Sequence, residues 1–353
     1  MNAPVSHAMT VRQADLNDAR ECARIEEFVA EHDATPFHRP AWLAAIGKGT
    51  RQNALGLVAE RAGVITGWLP LTEMRSPLFA PALVSSGFAV GGGPLADSGA
   101  ASELLCRAAE ELARRLAVSS VEMRGGTAPD GWQAITGKHA TFSRPLAEDR
   151  ESELLAFPRK SRAEVRKALK SPLEIVTGRD PEHLVAFYRC YADSVHNLGT
   201  PVFPRKLFAA VLDHFGENAD IITAVYEGRA VSSVLSLYHD GAVMPYWGGG
   251  GIEARARKAN ERIYFELMDH GRMRGCTRFD YGRSKVGSGP YNFKKWQGFE
   301  PVPLTYWTWT PPGRTARNID PTDDGYSSGI ALWKKLPLSV ATRIGPWIAR
   351  GLG

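Results

Sequence analysis

DIITAVY (220–226), EGR (227–229), AVSSVLSLY (230–238) and VMPYWGGGG (243–251) decide how this chain folds, because an earlier stretch runs in the same order. Asp220 to Tyr226 is rich in β-branched and apolar residues and predicts a strand. Glu227-Gly228-Arg229 predicts its turn, and Ala230 to Tyr238 the returning strand. Val243 to Trp247 then enters four glycines, a helix follows from about Lys258 to Arg274, and Thr277 to Tyr281 (TRFDY) closes as another strand. Upstream, Ala54 to Glu60, the turn Arg61 to Gly63 and Val64 to Glu73 make the same hairpin. Ala82 to Val90 runs into Gly91-Gly92-Gly93-Pro94, a helix is predicted from about Ser98 to Leu116, and Ser120 to Arg124 is the closing strand. Leu71 and Leu237 lie 166 positions apart, and Glu122 and Asp280 lie 158 apart, so one loop deletion aligns the copies. Matched lengths in matched order point to a duplication.

Each copy is preceded by two predicted helices: 18–31 and 40–47 before the first, 181–197 and 204–215 before the second. Two helices, a meander, a helix and a strand are the order of a GNAT fold, a mixed sheet splayed to admit an acyl donor. The expected class is therefore α/β (α+β), with tandem GNAT-like domains from an internal repeat. The expected organisation is a disordered N-terminus (1–9), a first domain (10–150) and a second, catalytic domain (151–310). A flexible linker (311–332), rich in proline, glycine, serine and aspartate, and a basic amphipathic tail (333–353) follow.

Bulk composition agrees with a soluble protein of two cores: 353 residues, 44% hydrophobic and 23% charged. No run of about 18 or more apolar residues occurs, as a spanning helix would need, and the first residues lack the pattern of a signal peptide. Four scattered cysteines and nine histidines form no ligand spacing, so no metal site is expected and the cytoplasm is the expected compartment. The net charge of +5 favours anionic partners such as RNA, nucleotide-linked substrates or a lipid surface, or serves solubility alone.

Three segments gather the candidate site residues. Phe157 to Lys170 (FPRKSRAEVRKALK) holds the candidates Arg159, Lys160, Arg162 and Arg166, and at helical spacing Arg159, Arg162, Arg166 and Lys170 line one face that either grips phosphate or is simply solvated. In the strand ending VMPYWGGGG, Tyr246, Trp247, Gly248 and Gly249 either leave room for a substrate chain or simply make a tight turn. The third segment is FDYGRSKVGSG (279–289) with FKKWQGFEP (293–301), where a strand ends in an aspartate before a glycine- and cation-rich loop. There Asp280 is the candidate proton acceptor, Lys294 and Arg283 the candidate oxyanion stabilisers, and Ser284, Lys285 and Trp296 candidate substrate contacts. The coenzyme A loop usual in GNAT enzymes, Arg/Gln-x-x-Gly-x-Gly/Ala, is matched neither by Gly251 to Asn260 nor by Gly91 to Asp97.

Together with TPFHRPAWL (35–43) and NLGTPVFP (197–204), these segments resemble the Fem family, and more closely the FemAB-like proteins of exosortase (PEP-CTERM) systems. Fem enzymes have two GNAT-like domains and transfer an amino acid from aminoacyl-tRNA to an amine on a cell-wall precursor. The resemblance implies an acyl- or aminoacyltransferase with no cofactor beyond its donor, an aminoacyl-tRNA or acyl thioester, and with peptidoglycan or an exopolysaccharide-linked precursor as acceptor. It places Lys294 on the lysine of the family's Phe-Lys-x-x-Phe-Gly element and Arg159 to Lys167 on its basic helix. The helical arm of the staphylococcal members has no counterpart here. An N-acyltransferase using acyl-CoA or acyl carrier protein, or a non-catalytic scaffold, are the other readings. Finally, Val340, Ile344, Trp347 and Ile348 recur at helical spacing between Pro337 and Arg350, so the tail is expected either to lie on the inner membrane or to dock in a groove of the protein.

Overall fold

In the computed structural model, which describes residues 8–317 and 331–353, the apolar periodicities become 14 strands and 11 named helices. Most of the expected linker and of the expected disordered N-terminus lie outside the described residues. The chain opens with β1 (Thr10–Gln13), α1 (Ala19–Ala30), α2 (Pro40–Thr50), β2 (Asn53–Arg61), β3 (Val64–Met74), β4 (Ala82–Ser85), β5 (Leu95–Ala96), α3 (Gly99–Arg115), β6 (Ser120–Arg124) and β7 (Gln133–Pro145). It continues with α4 (Arg150–Ala156), α5 (Arg159–Leu169), β8 (Glu174–Gly178), α6 (Pro181–Leu198), α7 (Arg205–Phe215), β9 (Ala219–Tyr226), β10 (Arg229–His239) and β11 (Ala242–Gly250). Then come α8 (Ile252–Ala256), α9 (Ala259–Met273), β12 (Arg278–Asp280), β13 (Ser284–Lys285), α10 (Gly289–Trp296), β14 (Pro301–Trp309) and a C-terminal helix (Leu338–Ala349).

The chain forms two compact units, one of residues 1–136, 305–319 and 350–353, the other of residues 137–304 and 320–349. In the first unit the strands β1, β2, β3 and β4 pair antiparallel in turn, β4 pairs β6 in parallel, and β6 pairs β14 antiparallel. The second unit repeats this: β8, β9, β10 and β11 antiparallel, β11 with β12 parallel, β12 with β7 antiparallel. The internal repeat is thus a repeat of topology, strand for strand. The units exchange their last strands across the boundary read at residues 150/151. β7, which follows the first copy in sequence, completes the second sheet, and β14, which follows the second copy, completes the first. Neither exchange is visible as periodicity, because β7 and β14 look like any other amphipathic strand.

Each sheet carries a core on both faces. In the first unit Leu57, Leu69, Leu71 and Val121 pack on Leu105, Cys106 and Ala109 of α3, while Val58 and Trp68 pack on Ile25, Phe28 and Leu43. In the second unit α9 supplies Ile263, Phe265, Leu267 and Met268 to a core with Phe142, Phe157, Phe279 and Tyr281. On the other face Phe187 and Tyr191 of α6 pack on Phe208 of α7, which meets Trp247 of β11.

Burial explains the glycines of β11. A β-carbon at Gly249 would stand 2.5 Å from the Cys190 carbonyl oxygen and 2.9 Å from Tyr191 Cα, and one at Gly248 would stand 2.9 Å from Val234 Cγ2. The space that small residues clear is occupied by α6 and by the neighbouring strand, and not by a substrate chain. Gly249→Ala should therefore lower stability by about 1–3 kcal/mol, the usual range for overpacking, which thermal unfolding would measure.

Candidate functional site

The second unit contains a gap in its sheet. β11 and β12 pair at two positions only, Ala242 with Arg278 and Val243 with Phe279. From there β12 follows β7, with Asp280 opposite Ser143 and the Tyr281 N–H donating to the Phe142 carbonyl at 2.8 Å. β11 meanwhile runs on to Gly250, bonded to β10. Beyond Val243 no strand pairs that side of β11 among the described residues, an opening that suits an extended acyl chain.

The corresponding place in the first unit is closed. Beyond the β4–β6 pair, the Gly93 N–H donates to the Arg124 carbonyl at 3.1 Å, and Arg124 Nη1 donates to the Ala89 carbonyl at 2.6 Å. The Arg124 N–H donates to Ser85 Oγ at 2.7 Å, and Phe88 and Ala89 are buried. Loop 86–93 therefore fills the slot that is open in the second copy.

The open gap ends at Asp280. Its Oδ1 accepts the Gly282 N–H at 2.7 Å, and Gly282 takes φ +63° to make that turn. Burial raises the Asp280 carboxyl above the ordinary aspartate range, against the lowering influence of the Gly282 N–H, Arg278 and Lys294. Lys294, from α10, is buried below the same turn. Its Nζ donates to the carbonyls of Tyr281 (2.7 Å), Gly282 (3.0 Å) and Arg283 (3.2 Å). An ammonium has three N–H groups, and all three are spent on the turn. In this arrangement Lys294 braces the loop that carries Asp280 and Arg283, which corrects the expectation that it faces an oxyanion. Burial pulls its pKa down to about 7, with Asp280 opposing the shift and Arg283 adding to it.

Next to Asp280, the Tyr281 ring packs edge-on against Phe279 (4.8 Å), Phe299 (4.6 Å) and Tyr264 (5.0 Å). The same cluster draws in the basic helix. The Arg144 guanidinium stands over the rings of Phe157 (5.6 Å) and Phe299 (4.6 Å). At Gly298, φ +87°, a β-carbon would come within 2.8 Å of Pro158 Cδ. The segments 157–170, 279–289 and 293–301 are thereby brought together.

Side-chain groups without a protein hydrogen-bond partner also concentrate here. Of eleven such buried atoms among the described residues, four are Ser161 Oγ, Tyr281 Oη, Ser284 Oγ and Gln297 Nε2, all in these segments. Buried polar groups are normally satisfied, so these four are exceptions within the candidate segments. Sequence reading singled out Ser284 but passed over Ser161, Tyr281 and Gln297. Their only signal was adjacency, to the basic stretch, to Asp280 and to the Phe-Lys-Lys-Trp run.

The remaining expected residues divide. On α5, Ser161, Val165 and Ala168 face inward while Arg159, Lys160 and Arg166 are exposed. Arg162 turns back, its Nε and Nη2 donating to the Phe157 carbonyl at 3.2 and 3.0 Å. Lys258, just before α9, pairs with Glu164 of α5 at 2.7 Å, and Arg262 Nη1 donates to the Leu169 carbonyl at 3.0 Å. The cationic helix thus lies along the start of α9. Trp247 is a correction: its indole packs 5.1 Å from the Phe208 ring, on the face of β11 covered by α6 and α7. Gly248 and Gly249 are likewise packing residues, and Tyr246, half-buried at a bulge of β11, packs its ring edge-on against Trp247 at 4.5 Å. Arg283 is half-buried, Lys285 exposed, and Trp296 half-buried beside Phe293 (6.2 Å).

Comparison with known proteins places this geometry. Residues 157–295 match the family described as Acetyltransferase (GNAT) domain. No curated protein matches the sequence. Among solved structures, FemX is similar with a TM-score of 0.64 at 14% identity, covering 82% of this chain and 96% of that one. This is a tandem GNAT fold. A tandem GNAT protein from the clavulanic acid biosynthesis pathway superposes with a TM-score of 0.56 at 12% identity, over 86% of this chain and 98% of that one. L-PGS from Bacillus licheniformis does so with a TM-score of 0.53 at 14% identity, over 90% and 96%. The GNAT match falls on the second unit, where the gap is open.

If Lys294 braces the turn, Lys294→Met leaves three carbonyls without a donor and should destabilise the fold by about 1–3 kcal/mol. The sign with pH follows from its lowered pKa. Between about 7 and the ordinary 10.5 the unfolded chain holds a proton that the folded one has released, so this group's contribution to stability rises with pH. Denaturant titrations of wild type and variant at pH 7 and pH 9 should show their difference growing at the higher pH.

Proposed function

We propose that this protein is an acyltransferase that joins an acyl or aminoacyl group to an amine, with the reaction in the second unit. The observation that carries this is the β11–β12 gap, which opens after two paired positions and ends at a half-buried carboxyl whose proton affinity is raised. The GNAT acetyltransferase match over residues 157–295 supports it.

The amine of the acceptor reaches the gap as an ammonium and must lose a proton before it can attack. A carboxylate that binds protons more tightly than usual is suited to take it, and Asp280 stands where the turn braced by Lys294 holds it. The nitrogen then adds to the ester or thioester carbonyl. The negative charge that develops on the carbonyl oxygen is stabilised by backbone N–H groups on the open side of β11 and by Arg283. Collapse expels the tRNA hydroxyl or the carrier thiol, which takes a proton as it leaves.

For the donor we favour a phosphate-bearing molecule lying along Arg159, Lys160 and Arg166, an aminoacyl-tRNA by the Fem resemblance. For the acceptor we favour an amine on a cell-envelope precursor. An acyl-CoA or acyl carrier protein donor is the second reading, and the GNAT family match favours it.

Assays pairing labelled aminoacyl-tRNA, acetyl-CoA and acylated carrier protein with amine-bearing nucleotide-linked precursors test the reading. Product should appear with one donor class, and Asp280→Asn should lower its rate by at least about 100-fold, the usual contribution of a general base. Because a poorly solvated charge is removed, that variant should be as stable as wild type or more so. Absence of donor binding in every pairing would favour a scaffold instead. Arg159→Ala with Arg166→Ala should weaken donor binding and lower its salt dependence by about two counterions. An unchanged salt slope would leave the stripe a solvated face.

A further inference from the structure

The C-terminal helix (Leu338–Ala349) is amphipathic in the reverse of the usual sense. It buries its small residues and exposes its large apolar ones. Ala341, Gly345 and Ala349 are four apart and form the face packed on the second unit beside α6. The approach is close, since a β-carbon at Gly345 would stand 2.7 Å from Val202 Cγ2 and 3.0 Å from the Val202 nitrogen. The helix runs through Pro346. Docking of its small-residue face holds the turn that the missing N–H weakens.

Val340, Ile344 and Trp347, at i, i+4 and i+7, lie away from that face and are 39%, 42% and 54% exposed. Two more exposed leucines flank the contact that anchors the preceding segment. His196 Nε2 hydrogen-bonds the Trp333 carbonyl at 3.1 Å; Leu332 beside Trp333 is 66% exposed and Leu198 beside His196 is 64% exposed. An aqueous surface has no use for three large apolar side chains on one helix face with two exposed leucines beside its anchoring contact. Lys334, Lys335 and Arg343 are exposed at the same place, with no ion-pair partner among the described residues, and residues 331–353 contain no aspartate or glutamate. Apolar side chains, one of them tryptophan, combined with cations and no acid are the chemistry of an anionic lipid surface. No helix among the described residues is long and apolar enough to cross a membrane.

We infer that this face docks the protein on the surface of an anionic phospholipid bilayer, with Trp347 and Ile344 inserted among the acyl chains and Lys334, Lys335 and Arg343 on the lipid phosphates. Docking of both kinds at once is what makes peripheral binding firm, since neither a few apolar side chains nor three cations suffice alone. This inference does not depend on the proposed reaction, because binding is read without substrate.

Flotation of the full chain with vesicles tests it. Protein should float with vesicles of phosphatidylglycerol and phosphatidylcholine, and not with phosphatidylcholine alone. Ile344→Ser with Trp347→Ser, both at exposed positions, should reduce binding about tenfold or more while leaving thermal unfolding unchanged. Lys334→Glu with Lys335→Glu should abolish the dependence on anionic lipid. Equal flotation of the wild type and the serine variant, or no flotation by either, would overturn the proposal. So would a dimer in size-exclusion chromatography that the serine variant disperses without any vesicle binding, since the face would then pair two copies of this chain.

Discussion

Two backbone rungs join β11 to β12, and most of what is distinctive in the second unit follows from how soon they stop. A parallel pair is held only by its ladder, and here the ladder ends because β12 is claimed from its other side by β7, down to the bond from Tyr281 to Phe142. β11 is claimed from its other side by β10 for its whole length. Each strand is therefore secure while the space between them opens. The first unit has the same topology, yet Arg124 and loop 86–93 bridge its slot with hydrogen bonds. Duplicated architecture has yielded one open slot and one closed one.

At the mouth of the open slot, a buried lysine and a half-buried aspartate meet at one turn with opposed consequences. Lys294 gives all its protons to three successive carbonyls, which would otherwise be costly to bury, and so sets the path of residues 281–283. That path places the Gly282 N–H on Asp280 and leaves the rest of the carboxyl in a poorly solvated place, where it holds a proton more readily. The aromatic cluster around Tyr281 and Phe299 keeps water from the turn and ties α5 to it through Pro158 and Gly298. Cationic helix, carboxyl and slot are thus parts of one packing arrangement. The C-terminal helix follows a separate logic. Close contact with Val202 requires small residues inward, so the large apolar ones are left outward.

Much of this was legible in the amino-acid sequence. Strand and helix periodicities and their repetition some 160 residues apart carry the α/β class and the duplication, because alternation and amphipathicity are local properties that tertiary contacts rarely overturn. The pairs β2–β3 and β9–β10, with helices α3 and α9, fall where the patterns put them. Asp280, Arg159 and Arg166 could be singled out because a polar or charged residue in such a setting announces itself by chemical type alone.

Tertiary structure alone decided the rest. Whether Lys294 faces a substrate or three carbonyls depends on a turn thirteen residues earlier in the chain, and no spacing records it. Trp247 and Gly249 read equally well as a substrate surface or as a helix-packing surface until α6 and α7 are in place. The exchange of β7 and β14 between units, and the closing of one slot by Arg124, are long-range pairings whose partners are far apart in sequence. A sequence specifies by local pattern which residues can sit in a strand, helix or loop; which groups each of them meets depends on contacts that exist only once the distant segments have packed.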